Sequence, residues 1–386
     1  MSALIAITAL AIDMSLPAQP TLVREFRTIS DHAQLTLSVF LMGYAMGQPI
    51  AGYLADARGR RGVLLTGLVV FSLAGFACAA STSLRLLIAW RFVQGLGAAS
   101  GTVVAQAMVR DTHTEAGAAR VFARMIAILA LAPTLAPLVG GQLLAYAGWR
   151  AIFVTLGLCG AVLAALSALT LNETLEARHP PSLGGMATGM LQFVRTPATR
   201  LPACIVALSF ACQFAFISAS PFVLLEGYRV HPSHFAIYFG ATAVALMLGS
   251  AWGARLLGKG LAPRHVVAFG AYALLGGGLL ALALVHAPAT GALGLVLPML
   301  ACFFGLGLMS PSATAMAMAP VPAIAGTASA ILGLLEMSAG SLSGYLNAKI
   351  GGADARILAL QIACLAVACT AITFAMRETG KGQTRL

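Results

Sequence analysis

From Ala3 to Met376 the chain passes through one apolar stretch after another, divided by short polar turns. Each stretch is roughly twenty residues long, the length a helix needs to cross the hydrocarbon core of a bilayer. Backbone in hydrocarbon must satisfy its own N–H and C=O groups, so runs of this kind are read as helices. Twelve can be marked: Ala3 to Leu22, Leu35 to Leu54, Val63 to Ala80, Leu84 to Val109, Val121 to Tyr146, Ala151 to Leu171, Leu201 to Leu225, Phe235 to Leu257, Val266 to Val285, Leu293 to Met318, Ala325 to Leu346 and Ile357 to Met376. Only 9% of the residues are charged, against about 25% in soluble domains. The reading is an all-α membrane protein.

The formal charge of +11 is carried by turns, with no basic domain outside the bilayer to hold nucleic acid. With the N-terminus in the cytoplasm, 15 basic residues fall on the inner side and 7 on the outer, the positive-inside bias. Both termini are therefore expected inside. The one long polar interruption, Asn172 to Arg200, parts two sets of six spans, 1–171 and 201–376, and leaves a tail at 377–386. Glycine-rich basic turns after the second span (Gly52 to Arg61) and the eighth (Gly253 to Gly260) fit an internal duplication, a known transporter plan. Gly95-Leu96-Gly97 and Gly305-Leu306-Gly307 recur in spans four and ten; without a strand or polar turn around them they serve helix packing, not nucleotides. The first run lacks a basic leader and holds an aspartate and two prolines, so it is read as a span and not a signal peptide.

Three charges lie deep in spans: Asp13, Arg91 and Glu336. A charge at that depth is costly and usually faces a bundle interior or an aqueous path. Asp13 either pairs with Arg91 to lock span one on span four, or exchanges a proton during a transport cycle. Arg91 cannot give up its proton; it biases the carboxyl group, holds a polar group of the substrate, or packs against helix carbonyls. Glu336 is a second proton site, a counter-charge for a cation, or a protonated core residue. Tyr44, Gln48, Gln94, Gln213, Phe216, Ser220 and Met309 suit the lining of a cavity for apolar neutral molecules, and suit ordinary packing as well. The seven cysteines all sit in apolar runs with no C-x-x-C spacing, and no histidine lies deep in a span. No metal, cofactor, disulfide frame or histidine relay is expected, and the absence of a phosphate loop, nucleophile elbow or carboxylate pair argues against an enzyme.

Gly52, Leu54, Asp56, Gly59, Arg60 and Arg61 resemble the loop 2 to 3 signature of the major facilitator superfamily, departing at Ala57 with Arg58 one place late. Arg91-Phe92-Val93-Gln94-Gly95-Leu96-Gly97 resembles the fourth-helix motif of its proton-coupled drug antiporters. Ala132-Pro133 with Ala136-Pro137-Leu138-Val139-Gly140-Gly141 is similar to their fifth-helix antiporter motif. Ile12 to Ala18, Ser220 to Leu224 and Ala325 to Ala330 narrow the resemblance to the Bcr/CflA group of drug exporters, although Glu336 stands where glutamine is expected. The resemblance implies twelve helices in two pseudo-symmetric six-helix bundles. It implies proton-coupled efflux of bicyclomycin- or chloramphenicol-type molecules by alternating access, from a monomer in the bacterial inner membrane. Its partners are then a small-molecule substrate, protons and lipid. Asp56, Arg60 and Asp111 would latch helices two, three and four in the outward-open state, and the fifth-helix glycines would let helices five and eight approach closely and stop leakage. A same-fold exporter of a sugar or amino acid, and a non-transporting receptor, are the alternatives.

Overall fold

The computed structural model describes residues 1–112, 121, 125, 132–175, 183–287, 290–351 and 354–383, and among these every regular element is a helix. In chain order they are α1 (Ser2–Asp13), a 3-10 turn (Leu16–Ala18), α2 (Gln19–Glu25), α3 (Ser30–Arg58), α4 (Arg60–Ala79), α5 (Leu84–Thr112), α6 (Ala132–Thr170), α7 (Leu183–Arg195), α8 (Pro197–Ser220) with a π-helical continuation (Pro221–Gly227), α9 (Pro232–Gly258), α10 (Pro263–Leu284), α11 (Leu293–Met318), a second 3-10 turn (Pro322–Ile324), α12 (Ala325–Gly351) and α13 (Ala355–Gln383). Among the described residues, nine helices are long and apolar enough to cross a membrane. α3 and α12 are as long, at 29 and 27 residues, but are not among the nine. They carry the interior amides, hydroxyls and acid, among them Gln34, Gln48, Glu336 and Asn347. Most of the fifth span before Ala132 lies outside the described residues; α6 carries its end into the sixth through a bend at Gly148 (φ 75°, ψ 176°).

The chain forms two compact units, Met1–Gly185 and Met186–Leu386. In the first, α5 is the central helix, packed on α3, α4 and α1, and α6 covers α4 and α1. In the second, α11 takes the matching place against α9, α10 and α8, while α12 and α13 pack on α8. The central stretch expected as loop is in part helix: Phe193 on α7 is buried, and Thr199 Oγ1 and Arg200 Nε cap its last carbonyls, those of Phe193 (2.7 Å) and Val194 (2.8 Å).

Each unit is pinned at a crossing of two glycines. A side chain at Gly43 on α3 would strike the Phe92 carbonyl oxygen of α5, and one at Gly95 would strike that of Phe40. In the second unit Gly249 on α9 meets the Phe304 oxygen of α11, and Gly307 meets that of Leu246. In all four cases the carbonyl belongs to the residue three before the partner glycine. Seven residues before the crossing, Thr36 and Thr242 each donate to a carbonyl three residues back, both at 2.7 Å. The register of the duplication is thereby set: Gly95 answers to Gly307, Arg91 to Phe303 and Gln94 to Leu306.

Candidate functional site

The break in the first span sits at its acid. Pro17 cannot donate to the Asp13 carbonyl nor Pro20 to that of Leu16, so α1 stops at Asp13 and the chain passes through a 3-10 turn into α2. α6 is pressed against this break. Gly140 abuts the Met14 carbonyl oxygen, and any side chain there would collide with it, whereas a Cβ at Gly141 meets nothing within 4 Å. Pro137 is buried in the same helix, and the ring of Pro133 lies outside the described residues. Asp13 is 5% exposed, and among the described residues its carboxyl group has neither a hydrogen bond nor an ion pair. The pairing of Asp13 with Arg91 is not present.

Arg91 is fully buried and instead is held within unit 1 by neutral groups. Its Nε donates to the Thr36 carbonyl (3.3 Å), its Nη1 to Gln94 Oε1 (2.8 Å), and its carbon lies 4.2 Å from the Phe40 ring centre and 5.7 Å from that of Phe153. Gln19 Nε2 donates to Thr36 Oγ1 (3.1 Å), extending the chain of contacts back to the broken first helix. Arg91 Nη2 and Gln94 Nε2 have no acceptor among the described residues. Cation–π contact contributes about 0.5–2 kcal/mol; a buried charge lacking its partner costs several. The site is an uncompensated cation with two free N–H donors, suited to an oxygen acceptor.

The other expected lining residues fall in both units. In unit 1 Tyr44 is buried and Gln48 half-buried on α3. In unit 2 Gln213 and Glu336 are half-buried, while Phe216, Ser220 and Met309 are enclosed. Phe216 stacks on Phe239 (6.3 Å) and meets Phe303 edge-on (5.4 Å).

The polar turn between α3 and α4 forms a second cluster. Gly59, at φ +108°, takes a backbone conformation that favours glycine and breaks the two helices apart. Arg60 pairs with Asp56 and with Asp111 Oδ2 on α5 (3.1 Å), while a Cβ added at Gly52 would meet Val103 at an ordinary 3.7 Å. A carboxylate that sequence reasoning missed completes the cluster. Glu173, just past α6, accepts the N–H of Arg60 (2.8 Å) and of Arg61 (3.1 Å), capping α4 from 113 residues away. It also accepts Thr174 and Leu175 N–H (3.0 and 3.1 Å), Thr174 Oγ1 donates to Asp111, and Arg61 Nη2 reaches the Ala168 carbonyl (2.7 Å). Burial alone would raise the Glu173 carboxyl; the four backbone donors outweigh it and hold the group below the usual carboxylate range.

The model of the Major Facilitator Superfamily matches residues 1–344. The chain belongs to this superfamily. It is 34% identical over 342 residues to the MFS-type transporter YdgK of Bacillus subtilis (strain 168), covering 86% of this chain and 83% of the relative. It is 31% identical over 351 residues to the multidrug resistance protein MdtL of Salmonella heidelberg (strain SL476), covering 90% and 87%. Among solved structures it resembles a bacterial homolog to the human lysosomal transporter Spinster (TM-score 0.76, 19% identity, 98% and 96% covered). It also resembles the xylose transporter XylE from E. coli (TM-score 0.74, 13% identity, 97% and 96% covered). The likeness to these solved structures shows the fold, the helical membrane fold of this superfamily. The protein is a multi-pass membrane transporter of this superfamily.

Proposed function

We propose that the protein is a proton-coupled exporter of drug-like small molecules in the bacterial inner membrane, working by alternating access with both termini in the cytoplasm. The reading rests above all on Asp13, a buried carboxyl group without an ionic partner at the break of a membrane helix. Such a group can be neutral in one state and ionised in another, which is what coupling requires. The fixed charge of Arg91 biases that exchange, and with Gln94 it offers donors to an oxygen of the substrate. Tyr44 and Gln48 add contacts on α3, and Glu336 is a second titrating group. Asp56, Arg60, Arg61 and Asp111 act as a latch whose pairing differs between states. The similarity to MdtL supports a drug as cargo. A membrane potential supplies about 2.3 kcal/mol per charge per 100 mV and a pH unit about 1.4 kcal/mol, so one proton driven by 100 mV and one pH unit sustains roughly a five-hundredfold gradient of a neutral drug.

The test is Asp13→Asn at equal membrane abundance, measured as drug efflux driven by an imposed pH gradient in vesicles. The variant is expected to bind drug and to lose gradient-driven efflux. Undiminished proton-coupled efflux would overturn the assignment.

A further inference from the structure

At the end of unit 2 where α8 runs out, α10 stops and α13 begins, the helix ends enclose a cleft of about 500 Å³. Its lining is of two kinds. Val223 and Val285 supply an apolar wall; Tyr228, Asp354 and Arg356 supply a phenol, a carboxylate and a guanidinium. Asp354 and Arg356 form no ion pair with one another or with any other described residue. Asp354 Oδ1 instead accepts the Arg356 N–H (2.8 Å), closing the first turn of α13 and leaving its second oxygen open. Burial first, then the Asp354 carboxylate, holds the Tyr228 phenol above its ordinary value while Arg356 pulls the other way, so all three groups sense each other across one mouth.

Gln361 on α13 accepts from Asn347 on α12 (2.7 Å) and donates to the Ser343 carbonyl (2.9 Å), and Ser343 donates to the Ala211 carbonyl on α8 (2.7 Å). This polar strap ties α8, α12 and α13 together further along the helices. The cleft also continues onto apolar surface, since Leu360 and Val367, four and eleven residues after Arg356, share its helix face and are 51% and 53% exposed.

We propose that this cleft binds the headgroup of a zwitterionic aminophospholipid. Arg356 and the Tyr228 hydroxyl take the phosphate, Asp354 takes the ammonium, and the acyl chains lie along the Leu360 face. One unpaired cation and one unpaired anion side by side match a zwitterion and disfavour a purely anionic lipid. The position at the ends of three membrane helices puts these groups at headgroup level, which favours a lipid over a soluble molecule.

Native mass spectrometry of the purified full-length protein, titrated with palmitoyl-oleoyl phosphatidylethanolamine, phosphatidylglycerol or soluble phosphoethanolamine, tests this. Phosphatidylethanolamine is expected to bind more tightly than phosphatidylglycerol, with phosphoethanolamine failing to compete. Arg356→Gln removes a charge-assisted bond and should weaken phosphatidylethanolamine by about tenfold. Asp354→Asn keeps a capping side chain and should reverse the preference in favour of phosphatidylglycerol, and Tyr228→Phe should weaken both lipids. Parental lipid selectivity in Arg356→Gln and Asp354→Asn, with unchanged helical content and unfolding temperature, overturns the proposal. Equal binding of phosphoethanolamine overturns the lipid as its source.

Discussion

Replacing Glu173 by alanine tests whether the turn between α3 and α4 is held from outside its own sequence. Gly59 has no side chain to cap α4, and the first two N–H groups of that helix, at Arg60 and Arg61, go to Glu173. A lost N-cap costs about 0.5–2 kcal/mol, and a carboxylate near a helix N-terminus contributes about 0.3–1 kcal/mol. The carboxylate is exposed, so water takes over part of its role. A total of about 0.5–2 kcal/mol remains, which corresponds to roughly two- to thirtyfold faster local opening. Amide hydrogen exchange on a peptide that begins several residues before Arg60 measures it, with amides of α12 as the internal reference. Glu173→Gln keeps an acceptor and loses the charge, so it should fall at the low end of that range. The pH dependence follows from the depressed acid. Its stabilisation is complete above the ordinary carboxylate value of 4.5 and fades as pH falls below that, so exchange at Arg60 and Arg61 should accelerate only in acid. Parental exchange at Arg60 and Arg61 in Glu173→Ala would refute the cap.

Two further outcomes follow. Gly140→Ala drives a methyl group into the Met14 carbonyl and should cost about 1–3 kcal/mol, seen as a lower unfolding temperature in detergent and reduced efflux; Gly141→Ala, whose Cβ meets nothing within 4 Å, should match the parent in both. Arg91→Phe with Gln94→Leu installs in unit 1 the residues unit 2 carries at the equivalent places, and should fold at parental abundance or gain up to about 1–4 kcal/mol while abolishing efflux.

What could be read in advance followed from local rules. Span length, the bend at Pro17 and Pro20, and the depth of Asp13, Arg91 and Glu336 depend on residues close in sequence. The hinge at Gly52 to Arg61 carried its own signature. Glu173 escaped because its partners lie 113 residues away and an acid just past a span looks like a solvated turn. α7 escaped because Pro180, Pro181, Gly184 and Gly185 mask the start of a helix whose Phe193 finds a buried place. The absent Asp13–Arg91 pair was illegible for a different reason. Helix periodicity sets the depth of a side chain, but which neighbour it meets depends on how the break at Leu16–Ala18 turns the helix, and that is set by α6 at Gly140.

The duplication bears on why Arg91 is present. Both units solve the same packing problem with the same glycine crossing and the same threonine two turns before it. Where unit 1 places Arg91, unit 2 places Phe303, which packs edge-on against Phe216 within an apolar core. Where unit 1 has Gln94, unit 2 has Leu306, buried and needing no acceptor. The crossing therefore does not need a guanidinium or an amide to form, and an unpaired buried cation is the costlier solution by several kcal/mol. Unit 1 nonetheless carries the charge beside a broken helix with a lone acid, the arrangement on which the proposed transport role of Arg91 rests. On the proposed function, the unpaired Arg91 Nη2 and Gln94 Nε2 receive an oxygen atom that comes and goes with the cargo.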